Sequence, residues 1–304
     1  MDGYKKLLKS RKIRIAILNV MDFVPDSVML KAQYRIKTGK KLNLKNPKRY
    51  SEKLQWYKAY YRDERMKKCV DKYEVREYVK YCGCGDILND CYGVYNTPDE
   101  IDFDSLPNSF VLKDTLGGGG NYIIIVKDKS KLDIESAKKQ MWSWVNTSTE
   151  LKHPGREWMY DRQKHRIIAE KYLECPNGDL PDYKIFCFNG KAFCTYFMRN
   201  YRNDHSKGEL CIVDRSFSKI IGCRSDFKPI DELPERPENF DKMLELSEKL
   251  SKSFPHVRVD FFNIDGKIIF GEMTFVTASG YIGFTPDSLD YELGELFVLP
   301  EKQV

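Results

Sequence analysis

"FVLKDTLGGGGNYIIIVKD", residues 110–128, sets two apolar runs on either side of four consecutive glycines. The runs carry β-branched and aromatic residues that favour extended backbone, and the glycines favour a bare, conformationally free connection. The stretch therefore reads as strand, loop, strand. It lacks the Gly-Lys-Ser/Thr ending and following helix of a Walker loop. A flexible hairpin and a flap over phosphates both fit, because backbone N–H groups without neighbouring Cβ atoms can approach anionic oxygens closely. Lys113, at the end of the first run, is placed to put its ammonium on the same phosphates.

A second stretch, "VRVDFFNIDGKIIFGEMTF" (257–275), alternates in the manner of a hairpin around its Asp-Gly turn. Alternation predicts Arg258 and Asp260 on one face of the first strand, and Glu272 and Thr274 on one face of the returning strand. Asp260 and Glu272 then converge as hard oxygen donors suited to magnesium with nucleotide phosphates; a surface hairpin with solvated carboxylates is the alternative. A third piece joins "RIIAEKYLE" (166–174) to "DLPDYKIFCFNG" (179–190). An acidic residue closing an apolar strand, a polar connection, and Lys184 two residues beyond Asp182 are compatible with a hinge whose backbone reads an adenine edge.

The remaining sequence bounds these readings. The chain has 304 residues, 41% hydrophobic and 32% charged, which predicts a globular protein with room for two lobes rather than a disordered one. The longest apolar runs fall well short of a membrane span. The N-terminus has a basic start and a short apolar run but no small-residue cleavage site, so no signal peptide is expected. Nine scattered cysteines, an odd number, predict reduced thiols in a cytoplasm. The spacing in "CGCGDILNDC" matches no common zinc pattern. The net charge of +6 is concentrated in residues 1–53; such a basic region is a solvated helical surface, or it binds a polyanion or an anionic membrane face. No nucleic-acid-binding signature is present.

Helical texture is predicted over 4–36 and 50–81, where Leu54, Tyr57 and Tyr61 recur at helical spacing and Ser51 precedes them as a cap. From about residue 87, short strands alternate with two further helices, "DIESAKKQMWSWVN" and "ENFDKMLELSEKLSKSF", the second with Met243, Leu246 and Leu250 on one stripe. The pattern predicts an α+β chain built on antiparallel sheets.

Taken in order, "LKNPKRYSEKLQWYK", "DKYEVREYVK", "LPNSFVLK", "DYKIFCFNG", "FPHVRVDFFN" and "GKIIFGEMTF" resemble the TupA-like branch of the ATP-grasp superfamily, over about residues 35–295. The resemblance implies two α+β lobes clamping ATP. It divides the chain into a helical basic region (1–68), an N-terminal lobe with the glycine flap (69–168) and a C-terminal lobe with the metal site (169–304). It assigns Lys72 and Lys113 to ATP under the flap of Gly117, Gly118, Gly119 and Gly120. Glu170, Lys171, Tyr172 and Leu173 become the adenine hinge, Asp182 lies near the ribose and Lys184 near the phosphates. Asp260, Glu272 and Thr274 become the magnesium site, although many ATP-grasp ligases have Asn where Thr274 stands. Arg258, with Lys184, resembles the groups that stabilise charge at the reacting centre. Ser279 and Gly280 resemble an acceptor loop.

The activity implied is a Mg- and ATP-dependent carboxylate–amine ligase acting through an acyl phosphate. For this branch, the expected partners are a uronic-acid carboxylate of a cell-surface polysaccharide and an amino acid or related amine. The basic stretch "MRNYRNDHSKGE" (198–209) offers Arg199, Arg202 and His205 for an anionic acceptor, or is an exposed loop. A glycan kinase using the same ATP site, a glycosyltransferase and a non-catalytic nucleotide- or glycan-binding scaffold remain open. The expected location is cytoplasmic, at the inner membrane face if the basic region touches lipid.

Overall fold

A computed structural model describes residues 11–118, 120, 122–147, 150–174, 178–200 and 207–304. In chain order the helices are α1 (Arg11–Val20), α2 (Asp26–Thr38), α3 (Tyr50–Tyr60), α4 (Arg65–Val70), α5 (Val75–Tyr81), α6 (Ile134–Val145), α7 (Phe240–Ser251) and α8 (Ser288–Leu296). The strands are β1 (Cys91–Tyr95), β2 (Phe110–Asp114), β3 (Ile123–Val126), β4 (Ile167–Lys171), β5 (Asp182–Phe188) and β6 (Lys191–Arg199). They continue as β7 (Glu209–Asp214), β8 (Ile220–Arg224), β9 (Lys228–Pro229), β10 (His256–Ile264), β11 (Lys267–Thr274) and β12 (Phe284–Thr285).

The chain forms two compact units, one of residues 1–63, 151–158 and 179–304, the other of 64–150 and 159–178. This differs from the three segments read from the sequence. The N-terminal helices are not a separate layer, because Tyr50 at the start of α3 inserts its ring among Phe186, Phe188, His256 and Phe297.

The smaller unit is built on a four-stranded sheet in the order β1-β4-β2-β3. Period-two alternation sends Phe110, Leu112, Ile167 and Ala169 to one face, where Ala137, Met141 and Trp144 of α6 cover them. Helix α6 begins where the Asp133 carboxylate accepts the Ser136 N–H at 3.0 Å, satisfying one of the free donors of the first turn. The opposite face carries Val111, Lys113, Ile168 and Glu170, since Val111 pairs with Glu170 and Lys113 with Ile168.

The larger unit carries an eight-stranded sheet with the path β11-β10-β5-β6-β7-β8-β12, and β9 beside β7. Its strand pairs are antiparallel apart from β7 with β9. One face packs on α7 through the predicted stripe of Met243, Leu246 and Leu250, all buried. The other face is covered at one end by α3 and α8. Ser51 does not cap α3: its hydroxyl and N–H both donate to Asp290, at 2.8 and 2.9 Å. Glu52 caps instead, accepting the N–H groups of Lys48 and Arg49 at 2.9 and 3.2 Å. Helix α8 contains Gly294 because a Cβ there would stand 2.1 Å from the Lys48 carbonyl oxygen, so only glycine lets α8 approach the entry to α3.

Candidate active site

In the smaller unit the residues Asp71 and Lys72 open a turn that places a lysine beneath the glycine loop. The Asp71 carboxylate accepts the N–H groups of Tyr73 and Glu74 at 2.8 and 2.9 Å, and its other oxygen takes Arg166 at 3.2 Å. The Lys72 N–H donates to the Thr115 carbonyl at 2.9 Å, which fixes this turn to the end of β2. From there the Lys72 ammonium donates to the carbonyl of Gly117 at 2.5 Å. Lys113 is held from the neighbouring strand, donating to Glu170 Oε2 at 2.7 Å; Arg76 stands 3.8 Å from Glu170 Oε1.

The glycines divide by role. A Cβ on Gly117 would lie 2.5 Å from the Tyr122 Cβ, so this glycine is required by the neck of the hairpin. A Cβ on Gly118 would meet nothing within 4 Å, and Gly120 has φ +70°. Packing therefore does not require a glycine at 118, and the left-handed backbone favours one at 120; Gly119 lies outside the described residues. The neck is tied further by Asp114, fully buried, whose carboxylate lies 2.7 Å from His165 Nδ1 and accepts the Leu116 N–H at 3.0 Å. The sequence reading missed Asp114, His165 and Arg166. No local pattern marks them, since His165 and Arg166, just before β4, meet acids 51 and 95 positions away in the chain.

Glu170, expected in an adenine hinge, spends its side chain on Lys113. At Lys171 both peptide groups are occupied: its N–H donates to the Asp90 carbonyl at 3.0 Å and its carbonyl accepts from Asn89 Nδ2 at 2.8 Å. Tyr172 and Leu173 follow beyond the end of β4.

In the larger unit the predicted convergence of Asp260 and Glu272 is present. Asp260 lies opposite Glu272 on β11 and opposite Lys184 on β5, while Arg258 lies opposite Thr274. A bulge after Asp260 sets this register, and Gly271 permits it, because a Cβ there would press on the Asp260 carbonyl at 3.0 Å. Registered neighbours share a face, so Lys184, Arg258, Asp260, Glu272 and Thr274 project together.

The Arg258 guanidinium grips Asp260 bidentately, Nε to Oδ1 at 2.7 Å and Nη2 to Oδ2 at 2.6 Å. It also donates to Glu272 at 3.1 Å and Thr274 at 3.0 Å. Lys184 bridges Asp182 and Asp260 at 2.5 and 2.7 Å. Thr274 donates its hydroxyl to Glu272 Oε1 at 3.0 Å, a contact that orients a carboxylate.

Three carboxylates thus face two cations, leaving one negative charge in excess. Its effect falls on Asp182. Burial pushes the Asp182 carboxyl up to about 6 against the pull of Lys184, with the Asp260 charge adding to the rise. Asp182 Oδ1 is buried and has no hydrogen-bond partner among the described residues. An excess of hard oxygen donors over cations fits a hard divalent ion. Among the described residues no group of three or more His, Cys, Asp or Glu side chains is arranged to hold a metal ion.

Other candidates separate from this cluster. Asp182 pairs with Met198 across β5 and β6, so alternation puts Arg199 on the opposite face with Phe197, where it donates to Glu209 at 2.9 Å. Arg202 and His205 lie outside the described residues. Ser279 and Gly280 follow β11 in a left-handed turn. His256 is a buried packing residue held by Tyr50 and the Cys187 carbonyl, and burial drives its imidazole down to about 3. Asp102-Phe103-Asp104 has the Asp-x-Asp spacing of glycosyltransferases, which the sequence reading passed over. Asp102 instead closes a turn, accepting the N–H groups of Asp104 and Ser105 at 3.1 and 3.4 Å.

No curated protein matches this chain. Among solved structures it is similar to D-alanine–D-alanine ligase from Bacillus anthracis complexed with ATP, with 16% identity, TM-score 0.41, and coverage of 75% of this chain and 64% of that one. It is similar to N5-carboxyaminoimidazole synthetase from Staphylococcus aureus complexed with ADP, with 14% identity, TM-score 0.42, and coverage of 68% and 44%. Phosphoribosylamine–glycine ligase from Thermotoga maritima gives 15% identity, TM-score 0.43, and coverage of 69% and 48%. The chain therefore spans less than two thirds of the length of these solved proteins. The model of the TupA-like ATP-grasp family matches residues 52–298, a span that contains both the glycine hairpin and the acid cluster, and the chain belongs to that family.

Proposed function

We propose that this protein is an ATP- and Mg-dependent carboxylate–amine ligase that joins an amino acid or related amine to a uronic-acid carboxylate in cell-surface polysaccharide synthesis. The observation that carries the reading is the registered row Lys184–Asp260–Glu272 with Arg258 beside it. It offers anion-neutralising and metal-holding groups on one face. Such a set suits a reaction whose demand is to gather and neutralise anions.

In this reading Lys72, Lys113 and the backbone at Gly118 and Gly120 hold the nucleotide phosphates. Asp260 and Glu272 hold magnesium, which when bound neutralises phosphate oxygens. A carboxylate oxygen of the acceptor attacks the γ-phosphorus, the bond to the β-bridging oxygen breaks, and ADP leaves with that electron pair. The amine then attacks the acyl carbon, inorganic phosphate departs, and the nitrogen gives up a proton. Arg258 and Lys184 stabilise the negative charge that gathers on the transferring oxygens.

The helix α1 supports a location at a membrane surface. It exposes Ile13, Ile17 and Val20 along one stripe, followed by Met21 and Phe23, within the basic N-terminal sequence. Among the described residues no helix is long and apolar enough to cross a membrane.

The test is isotope transfer. Glucuronate labelled with ¹⁸O in its carboxyl group, incubated with Mg-ATP and pooled amino acids, should deliver one ¹⁸O to the released phosphate. Turnover with unlabelled phosphate would reject the acyl phosphate, and a phosphorylated sugar without amide would make the enzyme a kinase.

A further inference from the structure

The turn that follows β11 concentrates costs that its own sequence does not explain. Ala278 and Ser279 adopt φ +49° and +54°, and Gly280 φ +71°, three successive left-handed residues of which two carry side chains. Each such non-glycine residue costs roughly 1 kcal/mol or more, and strain of this kind persists only where the surroundings impose it.

The surroundings are three polar side chains, two from α3 and one from the 151–158 segment. Gln55, fully buried, donates Nε2 to the carbonyls of Ser279 and Gly280 at 3.2 and 2.7 Å. Lys58, also fully buried, donates to the carbonyls of Ser279 and Gly155 at 2.8 and 2.9 Å. The Ser279 hydroxyl donates to the buried Glu157 carboxylate at 2.5 Å. Gly280 admits no side chain, since a Cβ there would stand 2.4 Å from Gln55 Nε2. Burial pushes the Lys58 ammonium down to about 7, opposed by the Glu157 charge, so holding a lysine in this place is itself unfavourable.

The position of the turn gives these costs a purpose. Ala278 lies four positions after Thr274 of the acid cluster, and the intervening Thr277 accepts from Arg258 Nη1 at 3.5 Å. The inner side of the turn is tied to α3, while Ala278 is exposed and Ser279 half-exposed.

We propose that Gln55, Lys58 and Glu157 are positioning residues that hold Ala278–Gly280 in the left-handed form that receives the acceptor beside Arg258. This rests on the ligase reading and adds which residues set acceptor affinity. Gln55 and Lys58 project from the "SEKLQWYK" stretch of α3, so that stretch serves the site without touching ATP.

Gln55→Glu, which keeps shape but loses the donors, and Lys58→Met, which keeps length but loses the ammonium, are compared with the full-length wild type. Hydrogen exchange should accelerate at least 10-fold in a peptide spanning 276–283 and stay unchanged across β10 and β11. With Mg-ATP, glucuronate and pooled amino acids, the KM for glucuronate should rise at least 10-fold while the KM for ATP stays within 2-fold. Lys58→Arg, which retains donors, should recover part of the glucuronate KM. Unchanged exchange in the turn overturns the proposal, as does faster exchange with both KM values unmoved or moved equally. A wild-type protein that turns over no glucuronate rejects the ligase reading and takes the acceptor role with it; turnover with an unmoved glucuronate KM in the variants rejects the positioning role alone.

Discussion

Arg258→Met removes the guanidinium that ties the acid cluster together. In the native arrangement Asp260 is nearly fully buried and takes two hydrogen bonds from Arg258, at 2.7 and 2.6 Å, while Glu272 and Thr274 take one each at 3.1 and 3.0 Å. Methionine fills much of the volume and supplies none of these bonds. The cluster passes from three carboxylates against two cations to three against Lys184 alone. Deleting one partner of a buried pair costs about 3–5 kcal/mol, because the other charge stays buried without compensation. At about 2–4 °C per kcal/mol for a unit of this size, the melting temperature should fall by about 10 °C. The doubled charge excess should also make the cluster hungrier for a cation. Adding about 10 mM Mg²⁺ should therefore return several degrees to the variant and less to the wild type, relative to sodium at matched ionic strength. The rate of ADP formation should fall by about 10²–10³-fold. Arg258→Lys should regain part of the stability and little of the rate, since an ammonium cannot make the bidentate grip. Calorimetry with and without Mg²⁺, beside an ADP assay, reads all of this. A methionine variant that melts within about 2 °C of the wild type and gains nothing extra from Mg²⁺ would refute the charge accounting.

Further outcomes follow from other parts of the structure. Glu272→Gln, at a side chain 45% exposed, should melt close to the wild type and lose about 100-fold in ADP formation, measured at saturating ATP. Gly117→Ala should cost about 1–3 kcal/mol in denaturant unfolding, because its Cβ would stand 2.5 Å from Tyr122, whereas Gly118→Ala should be stable and show a raised KM for ATP. Asp182, raised by burial from 3.8 to about 6, binds its proton more tightly folded than unfolded, so its contribution to stability is greatest below pH 4 and is lost as pH rises through 6. Asp182→Asn should remove that slope, about 1 kcal/mol per pH unit, from a pH series of unfolding curves. Binding to phosphatidylglycerol vesicles in sedimentation should weaken at least about 10-fold in Ile17→Asp/Phe23→Glu and at high salt, while binding that persists in both conditions would reject the membrane contact.

The parts of the site that the sequence made legible are those written in local periodicity. Alternation in 257–275 is enough to bring Asp260 and Glu272 to one face, because the Asp-Gly turn fixes the hairpin and only the bulge at Gly271 has to be added. The stripe of Met243, Leu246 and Leu250 predicts the buried face of α7 for the same reason. What was illegible depends on partners far away in the chain. Lys58 reads as an ordinary helical lysine until Gly155 and Ser279, 97 and 221 positions away, enclose it. Ser51 has the sequence signature of a cap and is instead taken by Asp290, 239 positions away. Helix α8 is obscured by Gly294, which local propensity counts against a helix and close packing on α3 requires. Glu170 shows the same limit: its motif position marks it as important, and only the pairing of β2 with β4 reveals that its side chain goes to Lys113.

The central claim is tested most directly by mass spectrometry of the products formed from Mg-ATP, glucuronate- and galacturonate-containing glycans, and pooled amino acids. The account predicts ADP together with an adduct one water lighter than the sum of a uronic acid and an amine. An adduct heavier by a phosphoryl group, or transfer from a nucleotide sugar with ATP untouched, would contradict it.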